Sequence, residues 1–165
     1  MEFTYEGIRK WFDGYFDDVR KYQGDLETVP NLKKYFTADF ELTMYTAPPP
    51  SRKISMSRDE LLISFVHPGL QEDIAPRCTV IDLEQKIVAV QFEICFSDRV
   101  SGKKWDPVQA SAHYHLKLDA GDAVRIERIH YWTEALPEDV FEYWSKYRDE
   151  ALRRHATGYI NSLCL

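Results

Sequence analysis

The stretch that decides the fold is "PVQASAHYHLKL", residues 107–118. Along it Val108, Ala110, Ala112, Tyr114, Leu116 and Leu118 are apolar or aromatic, while Gln109, Ser111, His113, His115 and Lys117 are polar. Such alternation marks a strand with one face in a core and the other open. The preceding segment, "KIVAVQFEICFS" (86–97), repeats the pattern, with Val88, Val90, Phe92, Ile94 and Phe96 opposed by Gln91, Glu93 and Cys95. "RVSGKKW" (99–105), containing Gly102, reads as the hairpin connection between the two. "DAGD" (119–122) turns the chain into a last strand, "AVRIERIHYW" (123–132), and "CTVIDL" (78–83) supplies a strand upstream. Strands joined by tight turns predict an antiparallel meander.

Working back toward the N-terminus, residues 5–22 have helical periodicity. Ile8, Trp11, Phe12, Tyr15, Phe16, Val19 and Tyr22 share one arc at about 100° per residue. Asp13 and Asp17 fall on the solvated side, and Asp18 at the edge of the arc. "ETVPNLKKYF" (27–36) predicts a short helix with Pro30 near its start and Leu32, Tyr35 and Phe36 inward. "DFELTMY" (39–45) alternates as a strand, with Tyr45 on its polar side. "APPP" (47–50) is a loop, and "RKISM" (52–56) a short returning strand. Ser57 and Glu60 fit a capping box for a third helix that stops near "HPG" (67–69). Pro137 opens a final helix with Glu138 and Asp139 in its first turn, and Arg153, Arg154 and His155 in its last. Val140, Phe141, Trp144, Tyr147, Ala151 and Leu152 form its inward stripe, and Gly158 its stop.

Helices over one face of a curved antiparallel sheet give the class α+β. The expected organisation is a pocket domain over residues 1–136 and a C-terminal helical extension over 137–165. The 165 residues are 44% hydrophobic and 14% aromatic, enough for a real core. The net charge of −6 and the lack of a basic stripe argue against nucleic acid and anionic membrane as partners. No apolar run approaches the roughly 18 residues that span a bilayer. "MEFTYEGIRKW" does not read as a secretory signal. Cys78, Cys95 and Cys164 are odd in number and irregularly spaced, which fits free thiols in a reducing cytoplasm.

With two helices ahead of "FTADFELTMY" and "VRIERIHYW" as the closing strand, the chain resembles the nuclear transport factor 2-like superfamily over roughly residues 5–135. That group includes SnoaL-like polyketide cyclases, ketosteroid isomerases and scytalone dehydratases. Many relatives place an acid after the aromatics of the last strand, where this chain has Thr133. The resemblance implies a strongly bent sheet and helices forming a cone around an apolar pocket. It also implies an open sheet face that pairs in a homodimer. It implies a small apolar ligand handled without a cofactor, with protons moved by a carboxylate, histidine or tyrosine.

Candidates for that chemistry are Tyr15 on the first helix, Asp18 at its arc's edge, Asp39 at a strand start, His67 after the third helix, and His130 in the last strand. Each has a plain structural alternative. Tyr15 and Tyr114 fit as core tyrosines, Asp18 as a solvated acid, Asp39 as a turn cap, and His67 as a partner of the helix's last carbonyls. His130 faces the pocket with Trp132 unless a bulge near Glu127–Arg128 turns it outward. Trp11, Phe12, Phe40, Met44, Phe92, Tyr114 and Trp132 are expected to line the pocket. The pair His113 and His115 points away from the helices beside Lys117, which suits a solvated or dimer-facing surface better than a metal site. Two functions stay open: a cofactor-free lyase, isomerase or cyclase acting on a small carbonyl compound, and a non-catalytic ligand-binding or dimerisation module.

Overall fold

The computed structural model describes residues 3–25, 27–46, 52–67 and 69–146. The first helix, α1 (Tyr5–Tyr22), is capped by the Thr4 hydroxyl, which accepts from the Gly7 amide. It buries Ile8, Phe12, Tyr15, Phe16 and Val19. Val29–Tyr35 winds as a 3-10 helix rather than an α-helix, with Pro30 in its first turn, and still buries Leu32 and Tyr35. Six strands follow: β1 (Phe36–Thr46), β2 (Arg52–Ser57), β3 (Leu70–Asp82), β4 (Ile87–Asp98), β5 (Val108–Leu118) and β6 (Val124–Thr133). Between β2 and β3 lies α2 (Arg58–Ser64), opened by the capping box of Ser57 and Glu60. Residues 138–146 form a last helix, α3, which buries Val140 and Trp144. The expected loop at 47–50, the break at Pro68, the later part of the final helix from Tyr147 to the stop at Gly158, and Cys164 lie outside the described residues.

The sheet order is β2-β1-β6-β5-β4-β3, open at both ends. Neighbours are antiparallel except β1 and β6, which run parallel. That pairing joins residues 87–90 apart in sequence, the long crossover a parallel pair requires. Register shifts fall in β1, β3 and at the β5–β6 ladder, and each bends the sheet. α1 covers the inner face through aromatic edges, with Phe12 5.0 Å from Tyr114 and Phe16 5.6 Å from Phe92.

The sidedness of 107–118 is as its alternation predicts: Val108, Ala110, Ala112, Tyr114 and Leu116 are buried, and His113 and Lys117 are exposed. The strand expected at 78–83 is corrected, because β3 begins at Leu70. Two features hide its first half. Pro76 is tolerated because β3 is an edge strand, and a register shift at Pro76–Cys78 makes room for Arg77. The free edge is covered from α1: the Gln23 amide donates to the Glu72 carbonyl (3.0 Å) and Arg20 to that of Ile74 (3.5 Å). Among the described residues no helix is long and apolar enough to cross a membrane.

Candidate functional site

Between α1, α2, α3 and the inner face of the sheet lies a cavity of about 120 Å³. An engineered cavity of roughly 150 Å³ holds a benzene molecule, so this one matches a single small ring. Its walls are almost entirely apolar, and its polar lining is Tyr15, Ser64, Glu72, Tyr114, Tyr131 and Thr133. Two of those hydroxyls are occupied, with Ser64 donating to the Leu61 carbonyl (2.7 Å) and Thr133 to that of Glu134 (3.1 Å). Among the described residues, chemistry is left to three phenols and one carboxyl.

Glu72 reaches the cavity because β3 follows the register of β4. It pairs with Phe96 as Ile74 pairs with Ile94, and the even residues of β4 face inward. Among the described residues its carboxyl takes part in no hydrogen bond or ion pair; only its backbone is held, by Gln23. Glu72 is half-buried, but protein crowds its carboxyl closely enough that desolvation lifts its pKa to about 7. The phenols respond to the same dryness. Burial raises Tyr15, Tyr114 and Tyr131, and the Glu72 charge adds to the rise at Tyr131. All three stay protonated near neutral pH, so they act as hydrogen-bond donors.

Of the residues singled out from sequence, Tyr15, Met44, Phe92 and Tyr114 line the cavity. Phe12 and Phe40 are buried elsewhere in the core, and Trp11 packs edge-on to Phe12 and Tyr35. Asp18 sits at the surface, where it accepts from the Tyr35 hydroxyl (2.7 Å) and pairs with Lys34 (2.6 Å). Burial works against its charge, but the hydrogen bonds of Lys34 and Tyr35 outweigh it and hold the carboxyl below its usual range. Asp39 is exposed on β1. His67 is buried in a structural role. Its Nδ1 accepts from the Gly69 (3.1 Å) and Leu70 (2.7 Å) amides, and Nε2 lies 3.4 Å from the Tyr143 carbonyl. It therefore ties the start of β3 to α3 instead of bonding α2's carbonyls. Burial, with the Arg99 charge, keeps it neutral by lowering its pKa.

His130 and Trp132 face away from the cavity. Ile126 pairs with Leu116 and Arg128 with His115, which leaves Glu127 as the extra residue of a bulge. That bulge switches the phase of β6, so Ile126 and Ile129 are both buried and His130 turns outward. On the outer face the His115 and His130 rings are 5.1 Å apart, His113 lies 5.0 Å from Trp132, and Trp132 stacks on Tyr45 at 5.8 Å. Among the described residues no group of three metal-ligating side chains converges. Glu93, the third ligand such a site would need, is paired with Arg77 (2.5 Å).

Glu72 and Tyr131, two polar groups of the cavity lining, do not stand out in the sequence. The available signal was the alternation Leu70–Glu72–Ile74, an acid in phase with apolar neighbours.

No family model and no curated protein sequence matches the chain. Solved structures do. ActVI-ORFA from Streptomyces coelicolor is similar at 13% identity with a TM-score of 0.53, over 78% of this chain and 96% of that one. A nuclear transport factor 2-like protein of unknown function from Burkholderia pseudomallei is similar at 13% identity with a TM-score of 0.51, over 79% and 90%. The epoxide hydrolase/cyclase-like enzyme SalBIII, described in pyran ring formation in the polyether salinomycin, is similar at 18% identity with a TM-score of 0.50, over 80% and 94%. The chain has the nuclear transport factor 2-like fold.

Proposed function

We propose that the cavity binds a small apolar carbonyl compound and that Glu72 moves a proton on it without a cofactor, in an isomerase, lyase or cyclase reaction. The observation that carries this reading is the unpartnered Glu72 carboxyl, poised near pH 7 in an apolar cavity. A carboxyl so tuned is divided between acid and base at neutral pH, the condition under which general acid–base catalysis is most effective. The phenol of Tyr15, or of Tyr114 opposite, would donate to the carbonyl oxygen as negative charge develops there. Glu72 would take a proton from the neighbouring carbon and return it elsewhere on the same molecule. His67 and Asp18 are engaged in structural bonds, so the carboxyl of Glu72 takes the role that sequence alone assigned to them.

Cyclohexanone in heavy water tests this directly, because proton abstraction beside the carbonyl exchanges hydrogen for deuterium whatever the natural substrate. The expected result is enzyme-dependent exchange, visible by NMR, that Glu72→Gln lowers by about 100-fold or more. Ketone binding without exchange would favour the non-catalytic ligand-binding reading.

A homodimer through the outer sheet face is part of the same proposal. It is supported by the stacked pair of Tyr45 and Trp132, each 37% exposed, on that face. Sedimentation of the full chain tests it, and a monomer at high concentration overturns it. A cytoplasmic setting is also proposed, supported by the free thiols of Cys78 and Cys95.

A further inference from the structure

The charge balance of the cavity is one-sided. Among the described residues its lining contains one carboxyl and no lysine, arginine or histidine. Tyr15, Phe92, Phe96, Tyr114, Tyr131 and Trp144 contribute aromatic rings to the same walls. An ionised Glu72 therefore stands in an apolar site with no counter-ion among the described residues of its lining. We infer that this cavity is also a site for a small apolar amine, whose ammonium would lie against the Glu72 carboxylate among aromatic rings while its carbon body fills the apolar remainder. The inference rests on the reading of the cavity as a ligand site, and it adds a ligand class.

Folding has already desolvated the carboxyl, so a cation entering the cavity meets a charge whose hydration is largely lost. Aromatic faces attract cations, and more strongly when water is excluded. A carboxylate ligand would meet Glu72 with like charge and find no positive partner in the lining. The other ionisable or charged groups around Glu72 do not compensate it. Tyr131, Tyr15 and Tyr114 stay protonated, and His67 and Arg99 share with Glu72 a second, smaller chamber of about 10 Å³ but are no cause of its shift, which burial alone produces. Burial lowers the pKa of His67, which favours its neutral form. The Arg99 guanidinium packs over Gly24, where an added Cβ would come within 2.8 Å of it.

The two ligand classes then carry different pH signatures on one residue. A neutral ketone held through the phenols of Tyr15 or Tyr114 brings no charge to Glu72, so its affinity changes little as pH rises through about 7. An ammonium needs ionised Glu72, so its affinity rises over the same interval. Cyclohexanone, cyclohexylamine and cyclohexanecarboxylate have nearly the same shape and differ in charge. The amine, like a lysine side chain of pKa about 10.4, remains protonated from pH 5.5 to 8.5.

Calorimetric titration of the full chain should show cyclohexylamine binding roughly 30-fold tighter at pH 8.5 than at 5.5, the ratio set by ionisation of a single group near pH 7. Cyclohexanecarboxylate should not bind at either pH. Glu72→Gln should remove both amine binding and its pH dependence. Independently of any variant, amine binding at pH 6.5 should release protons to the buffer, read as a buffer-dependent enthalpy, whereas ketone binding should not. Ketone binding without amine binding, or amine binding with no proton release, overturns the inference and leaves the carbonyl reading standing. Failure of both ligands to bind overturns both.

Discussion

On the outer face of the sheet, His113, His115 and His130 lie among Trp132 and Tyr45. On the inner face one carboxyl, Glu72, stands among phenols and apolar walls. The outer face is richer in histidines, and burial there lowers the pKa of His115. The charges of His130, Arg128 and His113 add to that lowering. Glu72 is shifted to about 7 by burial alone. What sets chemical potential is the dielectric a group sits in, and a cluster half in water shares its charge with solvent. A site is better sought as the isolated polar residue on an apolar face than as the densest group of reactive residues.

The largest contrast between the faces should be in packing. Phe92→Ala removes a fully buried ring and should cost about 3–5 kcal/mol, whereas His113→Ala on the outer face should stay within about 0.5 kcal/mol. Urea unfolding measures both, and comparable losses would erase the distinction between core and surface drawn here.

The next effect concerns charge on the inner face. Glu72 has its folded pKa raised from 4.5 to about 7, so the folded state favours the protonated carboxyl. The associated stability is complete below the unfolded value and is lost as pH rises through the folded one. At about 1.4 kcal/mol per pH unit this amounts to at most ~3.5 kcal/mol, less what solvent at the half-buried residue screens. Glu72→Gln should therefore be more stable than the parent by about 2–3 kcal/mol at pH 8.5 and nearly equal to it at pH 4.5. A pH-independent difference would mean that the carboxyl is better solvated than its surroundings imply.

Asp18 offers a smaller, opposite case. Its lowered pKa means a contribution present above the unfolded value near 3.8 and lost as pH falls below it. Asp18→Asn should cost about 1 kcal/mol at pH 7 and leave ligand binding and deuterium exchange untouched. A loss of exchange would move the acid–base group to the surface of α1. The smallest effect belongs to His115, whose ring proton should titrate by NMR below the ordinary histidine range. A normal titration there would mean that Nε2, buried and without a hydrogen-bond partner, is reached by water.

The sequence made the outline legible where alternation was unbroken. The two faces of β4 and β5, the arc of α1 and the Ser57–Glu60 cap can all be read from residue order. Reading became harder wherever an extra residue changed the phase. Glu127 does so in β6 and sets His130 and Trp132 outside, so a pattern with two possible phases could not be resolved without pairing partners. Arg77 does so in β3, and with Pro76 beside it the first half of that strand looks like loop. Glu72 was hidden for the same reason: an acid counts as anomalous only once its neighbours are known to face a core. Tyr15 and Tyr114 were accessible because their partners on the same face are apolar. The parallel pairing of β1 with β6 leaves no local mark at all, since it joins segments some 80 residues apart.

The placement of Glu72 on the outermost ribbon has a consequence for breathing. β3 is bonded to a neighbouring strand on one side only, and its free margin is secured by two side chains, Gln23 and Arg20. Terminal ribbons separate more readily than central ones, so this margin is the least costly part of the sheet to lift. Opening there would admit or release a guest past the acid itself while the central ladder of β6, β5 and β4 stays closed. Guest exchange and global unfolding can thus run on separate clocks, with the faster one governed by two contacts at the end of α1.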